Sequence, residues 1–416
     1  MTQQQLEDLY AKVCVKLKEE AQRTKDTIPF VPIQGRYRDL MIPGGLFWWC
    51  NGFYPGILWQ MYHATGDEVY REYARAIDRR LEVILENPEK LDHDLGFLIL
   101  PTLYSEMLEE SDREKKEALK AAVVKAADIL KAREKEPGFL EAWNPGTLGP
   151  VDVSGMMIAD TTMNLSLLFH ASELTGDESY AKAAIRHADC ALKYLVREDG
   201  TANHIVKFDL ASGEFLGAQP GQGYSPDSVW TRGQGWILYG FTNAYKHTGD
   251  EKYLTAAKRS AEICIRELEK RDYLMPVDFA APADDGKFDS SAAMIIASGL
   301  ISLASVVVEA GISVVEAEEY SVFAGGTAKE TDGSAPGVDE STVASGEKDA
   351  YLEAAGKLIE ATFAKFGDLD PEKDGMIAGC SNRYHDDRMA GMKIIFADYY
   401  FVEAILKLMG KEISIW

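Results

Sequence analysis

The sequence predicts an all-α protein built as an (α/α)6 barrel, in which six inner helices stand inside a ring of six outer helices. Two observations support this prediction. One turn motif recurs along the chain, and helices with a polar face alternate with helices that are apolar on nearly all sides. No stretch has a credible strand pattern, so we expect residues 1–416 to form one barrel domain.

The turn motif joins an inner helix to the outer helix that follows it. TGDEVY at 65–70 recurs as TGDESY at 175–180 and TGDEKY at 248–253, with a weaker copy, GEKDAY, at 346–351. A glycine in this position ends a helix in the left-handed conformation, and the aspartate after it caps the next helix. Each copy therefore predicts a tight turn between two helices.

The helices before and after each turn differ in pattern. After the turn, apolar residues follow a 4-4-3-4 spacing from Tyr180 and again from Tyr253, which is typical of a helix with one buried face. Segments before the turn are apolar nearly all round and are interpreted as inner helices. Outer helices are predicted to begin near residues 2, 67, 112, 177, 250 and 348, and inner helices near 46, 95, 156, 228, 289 and 391.

Composition disfavours several classes of protein. The chain has a net charge of −23, so it lacks the excess of cationic side chains that would release counterions from a nucleic acid. Nucleic acid is therefore not expected as a partner. We find no apolar run of membrane-spanning length and no signal-peptide pattern in residues 1–26, so we expect a cytoplasmic protein with no membrane partner. The five scattered cysteines are expected to be reduced. No metal-binding cluster or phosphate loop is apparent, so neither metal nor cofactor is expected.

Loop lengths predict where the functional site lies. Inner-to-outer turns are short, whereas outer-to-inner connections are long and must gather at one mouth, beside the N-terminal ends of the inner helices. The long connections are 25–45, 134–155, 198–227, 271–288 and 367–390. Segment 309–346 instead joins an inner helix to an outer one. Because 324–346 is rich in small and acidic residues, we expect a flexible insertion on the opposite face.

Two carboxylates stand out at this mouth. Asp160 lies within the inner helix predicted from residue 156, and Asp94 directly precedes the one predicted from residue 95. Burying a charge is costly unless the group is paired or used. Asp94 could instead cap its helix, whereas Asp160 lies inside its predicted helix, where no cap is needed.

The rest of the mouth suits a sugar acid as ligand. Aromatic rings stack on the apolar faces of a pyranose, and Arg232 can pair with a carboxylate. His93 and His204 could each contact the substrate or orient a neighbour, and one of the two tryptophans at 48 and 49 could belong to the core. The residues assigned to the mouth are Trp48, Trp49, Asn51, His93, Asp94, Trp143, Asp160, His204, Gln222, Tyr224, Arg232, Gln234 and Trp236, of which Gln234, like Asp289, is interpreted as a helix-end residue.

Six motifs follow one another through nearly the whole chain: WCNGFYPG at 49–56, HDLGF at 93–97, DTTMN at 160–164, QGY at 222–224, WTRGQGW at 230–236 and DSSA at 289–292. Together they resemble the unsaturated glucuronyl hydrolases of glycoside hydrolase family 88. The resemblance implies an (α/α)6 barrel that removes the 4,5-unsaturated uronic acid at the non-reducing end of oligosaccharides left by polysaccharide lyases, glycosaminoglycan fragments above all. The partner would be a small anionic oligosaccharide.

The resemblance also implies a role for each matching residue. Asp160 would be the general acid and base, and Asp94 its partner. The uronate would be bound by His204, Gln222, Arg232 and Trp236, with Trp49, His93 and Trp143 around them. The chain departs from the family at 380–393, which matches poorly, and at 396–399, where FADY replaces the common WGDY. The neighbouring sugar and its sulfation are therefore not predicted.

The chemistry follows from the substrate class. An unsaturated uronate is a vinyl ether whose C4 can be protonated directly, leaving an oxocarbenium-like cation at C5, whereas ordinary glycosidases protonate oxygen. A free aspartic acid, with a pKa of ~3.9, would be ionised at neutral pH. We therefore expect burial and the charge of Asp94 to raise the pKa of Asp160. Whether water or the 2-hydroxyl of the sugar attacks first is left open.

Three other functions remain open at this point. An unsaturated rhamnogalacturonyl hydrolase, acting on pectin fragments, would share the local motifs. Sugar 2-epimerases use the same barrel but rely on a pair of histidines, for which His93 and His204 are the candidates at the mouth. A sugar-binding barrel without catalytic activity would keep Arg232 and the aromatic residues but would not need Asp160.

Overall fold

The computed structural model describes residues 1–40, 45–323 and 340–416, leaving aside the side chains of 308–323 and 340–344. Its helices, in chain order, are α1 (Gln3–Thr24), α2 (Phe53–Thr65), α3 (Glu68–Glu82), α4 (Leu95–Ile99), which runs through a π-helical turn (Leu100–Tyr104) into α5 (Ser105–Glu109), α6 (Arg113–Lys131), α7 (Thr161–Thr175), α8 (Glu178–Tyr194), α9 (Thr231–Thr248), α10 (Glu251–Glu269), α11 (Ser290–Phe323), α12 (Glu340–Phe366) and α13 (Ile395–Met409). Short 3-10 helices cover Gly45–Phe47, Trp49–Gly52, Val83–Glu86, Pro88–Lys90 and Asp387–Met389.

These helices form the predicted double ring. The inner ring runs from α2 through α4 with α5, α7, α9 and α11 to α13, and the contact between α13 and α2 closes it. The outer ring consists of α1, α3, α6, α8, α10 and α12. Inner helices are buried nearly all round, whereas α3, α8 and α10 bury one face. The prediction of an (α/α)6 barrel is therefore confirmed.

Three of the four predicted turns have the expected geometry. Gly66, Gly176 and Gly249 have φ of 69°, 75° and 67°, the left-handed conformation that glycine adopts without strain. The aspartate after each glycine caps the next helix by accepting a hydrogen bond from a backbone N–H two residues on. The weaker copy at 346–351 was wrong as a turn, because it lies within α12.

Three inner helices begin or end elsewhere than predicted. Helix α2 was expected to begin near residue 46 but begins at Phe53, after two short 3-10 helices. Residues Met156–Ile158 form a strand, and α7 begins at Thr161, because a short apolar run alone does not distinguish a buried strand from a helix. Helix α11 was expected to end near residue 307 but continues to Phe323. The described parts of the predicted insertion at 309–346 are thus helical. Its segment 324–339 lies outside the described residues, and its flexibility stays a prediction.

The expectation of no strands was wrong for the long loops. The described residues include nine short strands: β1 (Glu134–Lys135), β2 (Phe139–Leu140), β3 (Thr147–Leu148), β4 (Val151–Asp152), β5 (Met156–Ile158), β6 (Ile205–Phe208), β7 (Phe215–Gln219), β8 (Cys380–Ser381) and β9 (Ala390–Met392). All pair antiparallel, as the three-stranded sheet β5-β6-β7 and three hairpins. They lie within outer-to-inner connections, so they give the loops of the mouth a fixed form.

One inner helix has the length and composition of a membrane span. Ser290–Val307 in α11 has a mean hydropathy of 1.9, contrary to the expectation that no such run is present. Within the structure 94% of this stretch is buried inside the barrel. An inner helix surrounded by other helices needs apolar residues on every side, which accounts for the composition.

Candidate active site

The two predicted acids lie at the starts of neighbouring inner helices. Asp94 directly precedes α4 and Asp160 directly precedes α7, and α4 packs against α7. The prediction that Asp160 lies inside its helix was wrong, because the helix begins one residue after it. Neither carboxylate hydrogen-bonds the first-turn N–H groups of its helix. A capping role therefore explains neither acid, and both face the mouth.

Asn164 fixes the positions of the two acids relative to each other. Its Nδ2 donates to Oδ1 of Asp94 at 3.4 Å and to the carbonyl oxygen of Asp160 at 3.2 Å. Its Oδ1 accepts from the backbone N–H of Phe97 at 2.8 Å. The close approach depends on Gly96, since a Cβ there would lie 2.6 Å from Oδ1 of Asn164. Sequence reasoning missed this role, although Asn164 stands four residues after Asp160, one turn along α7.

His93 lies beside Asp94, as predicted. Its Nδ1 is 3.4 Å from Oδ1 of Asp94 and 3.0 Å from the hydroxyl of Thr161. The ring is buried, and the indole of Trp143 meets it edge-on at a centroid distance of 6.0 Å. His93 and Trp143 thus form one wall beside the acids.

His204 lies beside Asp160. Its Nδ1 accepts a hydrogen bond from the backbone N–H of Gln222 at 3.0 Å, so the neutral ring carries its proton on Nε2. Nε2 lies 3.5 Å from Oδ2 of Asp160, an ion-pair contact longer than an ordinary hydrogen bond. The backbone holds the ring here, because the carbonyl oxygen of His204 accepts from the N–H of Ala159 at 3.0 Å.

Replacing Gly221 with alanine is expected to displace His204. A Cβ at this position would lie 2.2 Å from Nδ1 of His204, so the ring or its loop must move. We expect Gly221→Ala to lower kcat/KM about 100-fold, because displacements of about 1 Å cost that much in oriented sites. Steady-state kinetics and the Tm test this. Gly346→Ala is the matched control, since no atom lies within 4 Å of its added Cβ. If Gly221→Ala had the same kcat/KM as the unmodified protein, this expectation would be contradicted.

The two acids have pKa values displaced in opposite directions. Burial, together with the charges of Asp92 and Asp160, raises the pKa of Asp94 well above its ordinary value. Burial also acts to raise the pKa of Asp160, but His204 outweighs it, with help from the charges of His93 and Arg232, so this pKa is lowered. The expectation of a raised pKa at Asp160 was therefore wrong for the unliganded protein. Of the two carboxylates, Asp94 therefore has the higher affinity for a proton in the unliganded protein.

Arg232 is more deeply engaged than predicted. Its side chain is 2% exposed, and Nη1 lies 2.7 Å from Oδ2 of the fully buried Asp289. Nη1 also donates to the hydroxyl of Ser291 and the carbonyl oxygen of Ser381, and Nη2 donates to the carbonyl oxygen of Asn382 at 2.7 Å. Carboxylate binding by Arg232 stays a prediction. Any substrate carboxylate would have to share this guanidinium with a protein carboxylate that already neutralises it.

The other predicted contacts divide between the mouth and the core. Gln222 lies at the mouth, and its Nε2 donates to the carbonyl oxygen of Asn382 at 2.6 Å. Trp49 is half-buried, packed against Phe97 at a ring distance of 5.6 Å. Trp236 is fully buried against Phe97 at 5.2 Å, so it supports the floor of the mouth from below. Stacking of a sugar on Trp236 is therefore not available in this conformation.

The hairpin β8–β9 contributes groups that sequence reasoning missed. The carbonyl oxygen of Asn382 accepts from both Gln222 and Arg232, and the N–H of Tyr384 donates to the carbonyl oxygen of Gln222 at 2.8 Å. The ring of Tyr384 meets the exposed ring of Tyr224 at 4.9 Å. Contacts made by backbone carbonyl groups do not depend on side-chain identity. The sequence of the poorly matching segment 380–393 therefore did not indicate this role.

Together these features are those of a carbohydrate-active enzyme, with two carboxylic acids side by side at the mouth of the barrel. The chain belongs to glycoside hydrolase family 88, whose family model, Glycosyl Hydrolase Family 88, matches residues 25–245. The unsaturated glucuronyl hydrolase of Bacillus sp. strain GL1 is 31% identical over 372 residues, which cover 88% of each chain. The unsaturated chondroitin disaccharide hydrolase of Streptococcus pyogenes serotype M1 is 28% identical over 86% of this chain and 80% of that one.

Solved structures agree with the family assignment. The unsaturated glucuronyl hydrolase of Bacillus sp. GL1, described as responsible for the degradation of glycosaminoglycan, superposes with a TM-score of 0.78 at 28% identity. The match covers 97% of this chain and 96% of that one. The enzyme of the same name from Streptococcus agalactiae has a TM-score of 0.80 at 25% identity, covering 100% and 94% of the two chains. The resemblance seen in the sequence is confirmed, and the 2-epimerase alternative was wrong.

Proposed function

We propose that this family 88 enzyme releases the 4,5-unsaturated uronic acid from the non-reducing end of oligosaccharides produced by polysaccharide lyases, with glycosaminoglycan fragments as its substrates. Relatives of this chain carry the names of hydrolases of unsaturated glucuronyl and chondroitin compounds. The observation that carries the proposal is the pair Asp94 and Asp160, whose pKa values are shifted in opposite directions and which lie against His93 and His204 at the mouth. The cytoplasmic location stays a prediction.

The reaction needs an acid for carbon and then a base for water. Proton transfer to C4 of the vinyl ether leaves a cation shared by C5 and the ring oxygen. Water adds to C5 and gives up a proton to the carboxylate that acted as the acid. The product is a hemiketal, which opens to a keto-uronate and releases the shortened sugar. The acid is regenerated in each turnover, so no cofactor is required for the balance of atoms.

Asp160 is the group that we assign to both proton transfers. Its side chain is 14% exposed, and its Oδ2 has no hydrogen-bond partner among the described residues, so no protein donor competes with the substrate for this carboxylate. Asp94 is held through Oδ1 by Asn164 and lies against His93. Asp94 is therefore held in position. There it keeps the proton in the unliganded protein, and it stabilises the cation after that proton has moved to Asp160.

Substrate binding supplies the reason for moving the proton from Asp94 to Asp160. The groups that lower the pKa of Asp160 are His204, His93 and Arg232. These are also groups implied in binding the uronate. Once the carboxylate of the substrate takes up their charge and hydrogen bonds, Asp160 loses that stabilisation and gains a nearby negative charge. Both changes raise the pKa of Asp160.

The pH dependence should show this shift. The alkaline limb of kcat/KM reports loss of the shared proton from the free protein, and that of kcat reports its loss from the substrate complex. Because the substrate adds negative charge, we expect the limb of kcat to lie at higher pH. Both constants are measured from about pH 4 to 9 at constant ionic strength, and the two profiles give the difference in pH between their alkaline limbs. Coincident limbs, or a limb of kcat at lower pH, would count against substrate-assisted protonation of Asp160.

Loss of ultraviolet absorbance from the conjugated uronate tests the function itself. The protein is incubated with lyase digests of chondroitin, hyaluronan, heparin, ulvan and pectin, and Asp160→Asn serves as the blank. We expect loss of absorbance with at least one glycosaminoglycan digest. Loss with the pectin digest alone would support the rhamnogalacturonyl alternative, and loss with none would refute the proposed function.

A further inference from the structure

A second cluster of polar side chains lies at the opposite end of the barrel. His170 and Glu173 stand near the C-terminal end of α7, and His247 stands in the last turn of α9. His170 is ten residues beyond Asp160, which places it about 15 Å along α7 from the candidate active site. The expectation of no metal cluster did not anticipate this group, because its members come from two helices far apart in the sequence.

The spacing of these three side chains fits the ligands of one metal ion. Nδ1 of His170 lies 3.3 Å from Oε2 of Glu173, and Nδ1 of His247 lies 3.3 Å from Oε1 of the same carboxylate. One ligand atom from each residue falls within 4.8 Å of the others. Two ligands at about 2.1 Å from a tetrahedral ion are separated by about 3.4 Å. Each imidazole Nδ1 lies close to that distance from one oxygen of the carboxylate.

The hydrogen bonds of His170 point to a cation at this place. Nε2 of His170 lies 3.0 Å from the carbonyl oxygen of Ile415, which can only accept, so Nε2 carries the proton. In the neutral ring, Nδ1 then presents a lone pair to the carboxylate of Glu173. The hydroxyl of Tyr104, 3.1 Å from Nδ1, can donate to it, but nothing protonated separates Nδ1 from Glu173.

His247 presents its Nδ1 to Glu173, and packing holds its ring in that orientation. Its Nε2 is buried and has no hydrogen-bond partner among the described residues, and its ring stacks on Phe169 at 4.7 Å. Both imidazoles are 9% exposed, whereas Glu173 is 62% exposed. The two rings are therefore held in fixed positions by packing, and the carboxylate leaves one side of the cluster open to solvent, through which an ion could reach it.

We propose that His170, Glu173 and His247 bind one divalent transition-metal ion of the Zn²⁺ type, with water in the remaining position. Two imidazoles and one carboxylate are a common ligand set for zinc. Donation from the far nitrogen of a ligating histidine to a backbone carbonyl is the usual outer contact of such sites, and Ile415 provides it here. A bound ion would tie the ends of α7 and α9 to the C-terminal tail. This proposal does not depend on the proposed function.

Calorimetric titration with ZnCl2 tests the proposal on protein without a histidine tag, after removal of metals with EDTA and dialysis. We expect saturable binding of one ion per chain. The Tm should rise by about 3 °C at a free zinc concentration about 100-fold above Kd. Titration with CoCl2 should give the visible absorption of a four-coordinate or five-coordinate site. No saturable binding by the unmodified protein would overturn the proposal.

Variants locate the ion. Glu173→Gln and His247→Gln should each weaken zinc binding at least about tenfold, whereas Tyr104→Phe should preserve it, because a hydrogen bond to His170 is not needed when a metal takes its place. His63→Gln is the matched control, since His63 pairs with Glu109 at the surface and no second histidine joins this pair among the described residues.

A second potential binding cluster must be separated from this one. Asp92, His93 and Asp94 at the mouth also lie close enough to hold an ion. Asp94→Asn should leave zinc binding unchanged if the ion is bound at the far end. Zinc binding that is lost in Asp94→Asn but retained in Glu173→Gln, or that is equal in all variants, would overturn the proposal.

Discussion

Asp160→Asn is expected to lower kcat at least ~1,000-fold while changing the affinity for substrate little, because it removes the group that gives and takes the proton. Asparagine has the same shape as aspartate, and the side-chain oxygen that it keeps can still lie against Nε2 of His204. The orientation of that ring, which Gln222 and Ala159 hold through the backbone, should therefore survive. What is lost is the exchangeable proton.

Two measurements separate this loss from a loss of binding. The decline in uronate absorbance gives kcat, and calorimetric titration of the inactive variant with intact substrate gives Kd without turnover. Asp152→Asn is the matched control, because Asp152 is an exposed aspartate on β4 whose carboxylate pairs with Lys207 at 2.9 Å. Asp152→Asn should keep the kcat of the unmodified protein. A near-normal kcat in Asp160→Asn would remove Asp160 from the acid role.

The barrel could be predicted from the sequence because the signals for its turns and helices each lie within a short stretch of the chain. A glycine followed by aspartate at 66, 176 and 249 encodes both the end of one helix and the cap of the next within two residues. The apolar pattern on either side then distinguishes inner from outer helices. The copy at 346–351 failed because a motif without its threonine and aspartate neighbours carries neither signal, and the chain continues as helix there.

The start of α7 could not be predicted, because it is decided by pairing rather than by pattern. Residues 156–158 are all buried, as they would be in an inner helix. Their backbone groups pair instead with β6, which arrives from a loop some 50 residues later. That pairing ends the strand just before Asp160, so the acid stands at the helix terminus.

The candidate site could be predicted as a set of residues but not as a charge distribution. Asp94 and Asp160 lie at the starts of neighbouring inner helices, yet the directions of their pKa shifts depend on which carboxylate meets His204 and which meets Asp92. Such contacts arise between loops, and no spacing along the chain encodes them. The pairing of Arg232 with Asp289 was missed for the same reason, since each was assigned a role separately.

Arg232→Met is expected to destabilise the protein by about 3–5 kcal/mol, because it leaves the carboxylate of Asp289 buried without its cation. Asp289 is fully buried, and its other donors are the hydroxyl of Ser291 at 2.5 Å and the N–H groups of Ser291 and Ser381 at 3.2 and 3.4 Å. These do not replace an ion pair at 2.7 Å. Methionine keeps much of the packing of the arginine side chain over the ring of Trp230. Urea unfolding of the unmodified and variant proteins measures the difference.

Arg232→Met/Asp289→Asn separates the structural role of Arg232 from substrate binding. Asparagine can still accept from the N–H of Ser291 at the start of α11, so the double variant removes the buried charge and keeps the helix end. We expect it to regain more than half of the lost stability, since neither charge then remains unpaired. If Arg232 also holds the uronate carboxylate, KM stays raised in the double variant although stability returns. A KM that recovers together with stability would instead limit Arg232 to shaping the site through Asp289 and the backbone of the β8–β9 hairpin.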